Sequence, residues 1–183
     1  MCDQNRDRDV AVAWLYCDYL AREKQSATNM LGVLLKQLFE RDEISGSVRQ
    51  VFYKEKRFGG RAVQLSDLVE MLKTAIASLP EVFICIDGLD ECLPNNRREL
   101  LESLQEIVRA SPATRVFLSG RPHILDEIKR NFTEAIIMQV APTIGDIEIY
   151  LEMRLDRDST PGAMNDNLRA EIMRVIPRKI SQM

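Results

Sequence analysis

VFICIDGLDEC, residues 82–92, runs five largely apolar residues into an acidic cluster of Asp87, Asp90 and Glu91. Val82–Ile86 is too continuously hydrophobic for a strand with one wet face. That pattern suits a central strand of a parallel sheet covered by helices on both sides. Gly88, directly after Asp87, lets the chain turn sharply so that Asp90 and Glu91 fold back beside it. Carboxylates at the mouth of a buried strand hold a metal or move a proton. One can bind Mg²⁺ directly or through water, while a second orients or deprotonates an attacking water.

Outward from this stretch, short apolar runs alternate with longer amphipathic ones. Val10–Cys17 (VAVAWLYC) reads as a strand. Ser26 and Thr28 offer caps for a helix through about Glu40, with Met30, Leu31, Leu34, Leu35 and Leu38 at helical spacing. A helix is predicted over roughly Ser45–Lys56, ending in Gly59-Gly60. Another follows Ser66, with Leu68, Val69, Leu72, Ile76 and Leu79 on one side and Pro80 as its stop. Asn96 is expected to start the next helix, with Glu99 as its capping-box partner. Arg115–Ser119 is predicted as a third strand, followed by a short helix around Ile124–Lys129, and Ala135–Val140 (AIIMQV) as a fourth strand. Thr143 and Asp146 form a second capping box before a helix to about Leu155, and a last helix covers roughly Ala163–Val175, before Pro177. Alternating strands and helices give an α/β fold with a parallel sheet, whose ligands sit at the carboxyl ends of the strands. Asp18, Asp87 and Arg121 all lie at such ends.

Composition narrows the classes of function. With 183 residues, one domain with a proper core is affordable, and 45% hydrophobic against 29% charged residues is an ordinary soluble balance. The net charge of −3 is spread in both signs, so no nucleic-acid footprint is expected. The basic stretch Tyr53–Arg57 has Glu55 inside it and reads as a solvated helix end or loop. Cys2, Cys17, Cys85 and Cys92 show no CxxC spacing and His123 is the one histidine, which argues against a zinc site. Cys85 reads as a small buried hydrophobe, and His123 as a helix-start residue. Scattered cysteines, a charged N-terminus and no long apolar run lead us to expect a cytoplasmic protein without membrane contact.

An aspartate that merely ends a strand is commonly a turn former. The full string of four apolar residues and DGLDE is far more specific, and matches the Walker B arrangement of P-loop nucleotide hydrolases. Ser119-Gly120-Arg121-Pro122 ends the following strand, where such hydrolases place a sensor of the γ-phosphate or water. Alone it would be an ordinary strand-exit turn.

YCDY (16–19), NMLGVLLKQL (29–38), IDGLDEC (86–92), LSGRPHI (118–124) and GDIEIYLEMRL (145–155) resemble, in order and along nearly the whole chain, the NACHT-type domain of fungal STAND nucleoside triphosphatases. More narrowly, the chain is similar to the nephrocystin-3-like N-terminal domain, often joined to ankyrin or other repeats. The resemblance implies a three-layer parallel sheet of the P-loop NTPase (ASCE/STAND) type, binding ATP or GTP with Mg²⁺. It implies a switch that drives oligomerisation of signalling proteins, so protein partners or a homo-oligomer are expected. Asp87 would be the Mg²⁺-associated acid, Asp90 or Glu91 the water-activating acid, and Arg121 the sensor, with Ser119 beside the nucleotide. Many relatives carry Thr-Ser-Arg-Pro at 119–122, so the hydroxyl directly before the arginine is lost here at Gly120.

Such hydrolases also need GxxxxGK[ST], whose N–H groups and lysine cradle the phosphates. None of the eight glycines begins that pattern and there is no GK[ST]. The resemblance therefore implies a slice of the domain that lacks the P-loop strand and helix: a polar segment 1–9, a partial core 10–158, and a helical segment 159–183 leading toward a winged helix. Nucleotide competence of the slice alone is not expected. Its sensor strand is expected either to leave an open edge, with marginal stability, or to be closed by the last strand. Two other classes remain. One is a non-enzymatic interaction module that binds a full-length relative. The other is a Mg²⁺-dependent phosphoacceptor using Asp87, which would want a further acidic pair and a lysine on a later strand end, neither of which is found.

Overall fold

In a computed structural model the described residues are 10–40, 63–157 and 165–180. The helix predicted over Ser45–Lys56 and the Gly59-Gly60 turn lie outside them. The chain divides into two units, Met1–Ala135 and Ile136–Met183.

The first unit holds three parallel strands in the order β1-β2-β3: β1 Val10–Tyr16, β2 Glu81–Asp87 and β3 Thr114–Leu118. β1 and β2 run in full register from Val10 opposite Glu81 to Tyr16 opposite Asp87. Three helices complete the core, α1 Ala27–Phe39, α2 Leu65–Ala77 and α3 Pro94–Ala110, with the short α4 (Leu125–Asn131) after β3. Ala11, Ala13, Leu15, Val82, Ile84 and Ile86 form one buried sheet face and join Leu31, Leu34, Leu35, Leu38, Leu72, Ile76, Leu100, Leu101 and Leu104 from the helices in one apolar cluster. Each fully buried valine, leucine or isoleucine of this cluster contributes about 1.5–3 kcal/mol. The other sheet face carries Trp14, Tyr16, Phe83, Cys85 and Phe117, which are half-buried or exposed. There Phe83 and Phe117 stack at 6.0 Å, and the Arg115 guanidinium lies 5.8 Å from the Phe83 ring. Cys85 is thus half-buried on this face, not fully buried as expected.

Local chemistry sets the helix ends. Ser26 Oγ accepts from Asn29 N at 3.2 Å and caps α1, as predicted; Thr28 lies inside the helix. α2 starts at Leu65, one residue before Ser66, because Asp67 accepts from the Gln64 N–H at 2.9 Å. α3 starts at Pro94, with no side-chain cap, so the Asn96–Glu99 capping box is not formed. Proline at the first helical position has its φ preset and no N–H to leave orphaned, and it starts the helix two residues early.

The predicted fourth strand does not form. Residues 135–143 carry no regular structure, and Ile136, Met138 and Val140 are exposed. β-branched composition favours an extended backbone, but a strand is stabilised only by a partner ladder. The described sheet ends at β3, so the last strand does not close it. The second unit contains α5 (Ile144–Asp156) and α6 (Asp166–Ile180). The Thr143–Asp146 capping box is present, with Thr143 N donating to Asp146 Oδ2 at 2.9 Å and Asp146 N to Thr143 Oγ1 at 3.1 Å. The Thr143 hydroxyl, which donates to Asp146 Oδ2 at 2.6 Å, and the Thr143 N–H together hold the Asp146 carboxyl below its ordinary range. Asn165 caps α6, and Pro177 lies within that helix instead of ending it. Near a C-terminus proline removes only one intrahelical bond, and the last turn continues past it.

Candidate functional site

The carboxyl ends of the three strands meet around one turn. Asp87 is the last residue of β2, and Gly88 follows in the left-handed region at φ 69°. A Cβ on Gly88 would stand 3.2 Å from the Cys17 carbonyl oxygen, so both backbone conformation and space call for glycine here. Leu89–Glu91 then make a single 3-10 turn anchored by the fully buried Leu89. Ser119, just past β3, ties this turn down. Its N–H donates to the Ile86 carbonyl and its carbonyl accepts from Leu89 N, both at 2.9 Å. Its Oγ accepts from Gly88 N at 3.0 Å and donates to Asp87 Oδ1.

The two other acids are held separately. Asp90 Oδ1 accepts from Arg121 N at 3.2 Å, and Asp90 Oδ2 lies 3.4 Å from Arg121 Nε. The Asp90 side chain is 9% exposed and that of Arg121 77%, so the arginine reaches out over a nearly enclosed carboxylate. Glu91 Oε2 accepts from Tyr19 N at 2.9 Å, while Asp18 caps the 3-10 turn Tyr19–Lys24 by accepting from Leu20 N at 2.9 Å. His123 sits, exposed, in the 3-10 turn Pro122–Ile124 that leads into α4.

Asp87, Ser119, Asp90 and Arg121 are therefore neighbours, and Glu91 turns away toward the end of β1. Among the described residues no group of three or more His, Cys, Asp or Glu is placed to hold a metal ion. Asp87, exposed and with one oxygen committed to Ser119, offers a single further carboxylate oxygen. That donor set does not suit a cage made of protein alone. It suits Mg²⁺ shared with phosphates, which keeps several waters and takes one or two carboxylates.

Several residues that shape the site were not read from the sequence. The Cys17 and Cys92 sulfurs, both buried, lie 3.0 Å apart in a shared hydrogen bond. That bond, with burial and the nearby acids, pushes the Cys17 thiol well up; the same bond, assisted by Arg97, pulls Cys92 down. Arg97, 8% exposed, donates from Nη1 to the Cys92 carbonyl at 3.1 Å and from Nε to Glu127 at 2.9 Å. Register offers a partial clue, since it sets Gly88 beside Cys17 one step past β1 and β2; the 3-10 turn that brings Cys92 back to Cys17 has no such signal.

Residues 1–121 match the family described as Nephrocystin 3, N-terminal. The chain belongs to this family. The match spans β1 to Arg121 and so includes every residue of the candidate site; GDIEIYLEMRL lies beyond it. No curated protein matches the chain. A solved structure, the Walker-type ATPase PABY2304 of Pyrococcus abyssi, is similar at 14% identity and a TM-score of 0.44, over 89% of this chain and 50% of that one. The chain thus spans about half the length of that ATPase. No described helix of this nephrocystin 3 N-terminal family member is long and apolar enough to cross a membrane.

Proposed function

We propose that the chain is the Walker B and sensor portion of a P-loop nucleoside-triphosphatase domain of the NACHT/STAND kind, working as a signalling switch with ATP or GTP and Mg²⁺. One observation carries this reading: Asp87, Ser119 and Arg121 converge at the carboxyl ends of adjacent parallel strands, where ligands of such sheets bind. Bound Mg²⁺ would supply charge neutralisation on the terminal phosphates. Asp87 would hold it, with Ser119 Oγ fixing the carboxylate's orientation. Arg121 is exposed and paired only with Asp90 among the ion pairs of the described residues, so it is free to exchange that partner for a phosphate. The exchange would release Asp90, and Asp90 or Glu91 would then position the attacking water. The 183 residues contain no GxxxxGK[ST], so weak nucleotide binding is expected of them alone.

The test begins with the transcript, where an in-frame GxxxxGK[ST] a few tens of residues before Val10 is expected. In the protein carrying both parts, the amide variant of the water-activating acid should lower kcat about 10²–10⁴-fold. Hydrolysis unaffected by Asp87→Asn, Asp90→Asn and Glu91→Gln alike would overturn the reading. So would tight, Mg²⁺-dependent ATP binding by residues 1–183 that survives Asp87→Asn.

A second reading, a non-enzymatic module that binds a full-length relative, is favoured by the sheet edges. Gln37 covers the β1 edge, its Oε1 accepting from Trp14 N and its Nε2 donating to Trp14 O, each at 2.8 Å. β3 pairs only with β2 among the described strands, and Phe117 beside that edge is 57% exposed. An open edge can accept a further strand. Association that Phe117→Lys abolishes, seen by sedimentation, would support this module; a monomer at all concentrations, alone and with a relative, would not.

A further inference from the structure

Nothing in the nucleotide reading uses Cys17 or Cys92. Cys17 follows β1 directly and Cys92 closes the turn that carries the acids. We propose that the two form a reversible oxidation site, a dithiol that closes to an intramolecular disulfide and locks the acidic turn to the end of β1. The proposal goes beyond the nucleotide reading and stands without it.

Three observations carry it. The sulfurs are 3.0 Å apart, so about 1 Å of approach reaches the roughly 2.05 Å of a disulfide. The segments on either side are already held together, by the backbone bond from Cys17 N to the Asp87 carbonyl and by the Glu91 side chain, whose Oε2 accepts from Tyr19 N, both at 2.9 Å, so little rearrangement is needed. Both thiols are buried, with Gln25 Oε1 at 3.9 Å and Met30 Sδ at 4.0 Å from the Cys92 sulfur, which keeps a second protein chain from competing for either thiol.

With hydrogen peroxide as oxidant the chemistry balances. One thiol sulfur attacks a peroxide oxygen, the O–O bond breaks, and a sulfenic acid and one water result. The second sulfur then attacks the first; the S–S bond forms, the S–O bond breaks, and the leaving hydroxide takes the second thiol's proton as water. The net change converts two thiols and one peroxide into one disulfide and two waters. A dithiol reductant reverses it by thiol–disulfide exchange. Because the cysteines are 75 residues apart in sequence, the bond closes a long loop of the unfolded chain and raises the melting temperature.

The experiment treats the full chain with hydrogen peroxide and counts thiols. Two of the four should be lost, and dithiothreitol should restore them. Cleavage before Asp87 and Asp90 separates Cys85 from Cys92, so mass spectrometry of that digest should show the Cys17 peptide joined to the Cys92 peptide. The melting temperature of the oxidised monomer should rise by roughly 10 °C. Cys17→Ser and Cys92→Ser should each remove both the cross-link and the shift, and Cys85→Ala should remove neither. A cross-link of other cysteines or between chains, oxidation that stops at a sulfinic acid, an unchanged thiol count, or a cross-link without a thermal shift would each overturn the proposal.

Discussion

Replacing Arg97 by methionine should destabilise the first unit by about 3–5 kcal/mol, the usual cost of breaking a buried ion pair from one side. The Arg97 side chain is 10% exposed and that of Glu127 19%, so both charges have lost most of their water. Without the guanidinium, Glu127 is left as an unpaired carboxylate between α3 and α4. The Cys92 carbonyl, which Arg97 Nη1 reaches at 3.1 Å, loses a donor too, a further loss of about 1–3 kcal/mol if it finds no other. The two losses overlap, because one local relaxation can relieve both. Against a total of about 5–15 kcal/mol for a domain, the effect is large. Glu127→Met alone should be similarly costly, since it strands the arginine. The double variant removes both charges at similar volume and should recover most of the loss, leaving only the carbonyl term. Urea unfolding followed by far-UV circular dichroism, run as a double-mutant cycle, gives the coupling. If Arg97→Met falls within about 1 kcal/mol of wild type, or the double variant sits at the sum of the singles, the pair does not hold the turn as described.

Gly88→Ala should lose about 1–2 kcal/mol for its left-handed backbone, and more for the Cβ held 3.2 Å from the Cys17 oxygen; an unchanged urea midpoint would show that the turn relaxes freely. Gln37→Ala removes two hydrogen bonds from Trp14 and uncovers the β1 edge, so about 1–2 kcal/mol should go and sedimentation should detect more association. Unaltered stability and mass would mean that water replaces the amide. The Asp146 carboxyl is held below 3.8, so its capping contribution is complete above that pH and is lost as pH falls through the depressed value. Asp146→Asn should therefore lower helicity at neutral pH and make no difference in strong acid, and an equal loss at both pH values would refute the assignment.

The parallel α/β order was legible because VAVAWLY, EVFICID and TRVFL are apolar runs separated by stretches whose leucines recur at helical spacing. Pattern of that kind reports burial directly. Strand pairing is different, since no local signal says whether a partner exists. AIIMQV has the composition of a strand and still lies open, because extended backbone without a ladder gains little. The start of α3 was misplaced for a smaller reason: the proline at its first position outweighed the side-chain cap expected two residues on.

The site was half legible for a physical reason of the same type. Asp87, Ser119 and Arg121 follow from one rule, that residues just past parallel strands share an edge. What those residues bond to does not follow from it. Sequence set Asp87 apart but could not separate Asp90 from Glu91, and the structure sends the three acids three ways: Asp87 to Ser119 past β3, Asp90 to Arg121, and Glu91 to Tyr19 past β1. The cluster therefore ties the three strand ends together as well as offering charge. Cys17 and Cys92 add to that tie: register sets the end of β1 beside Asp87, and the 3-10 turn then carries Cys92 back to Cys17 across 75 residues of sequence. Any change at one of these contacts, whether a phosphate drawing Arg121 from Asp90 or an oxidant closing the two sulfurs, acts on the one turn that all of them hold.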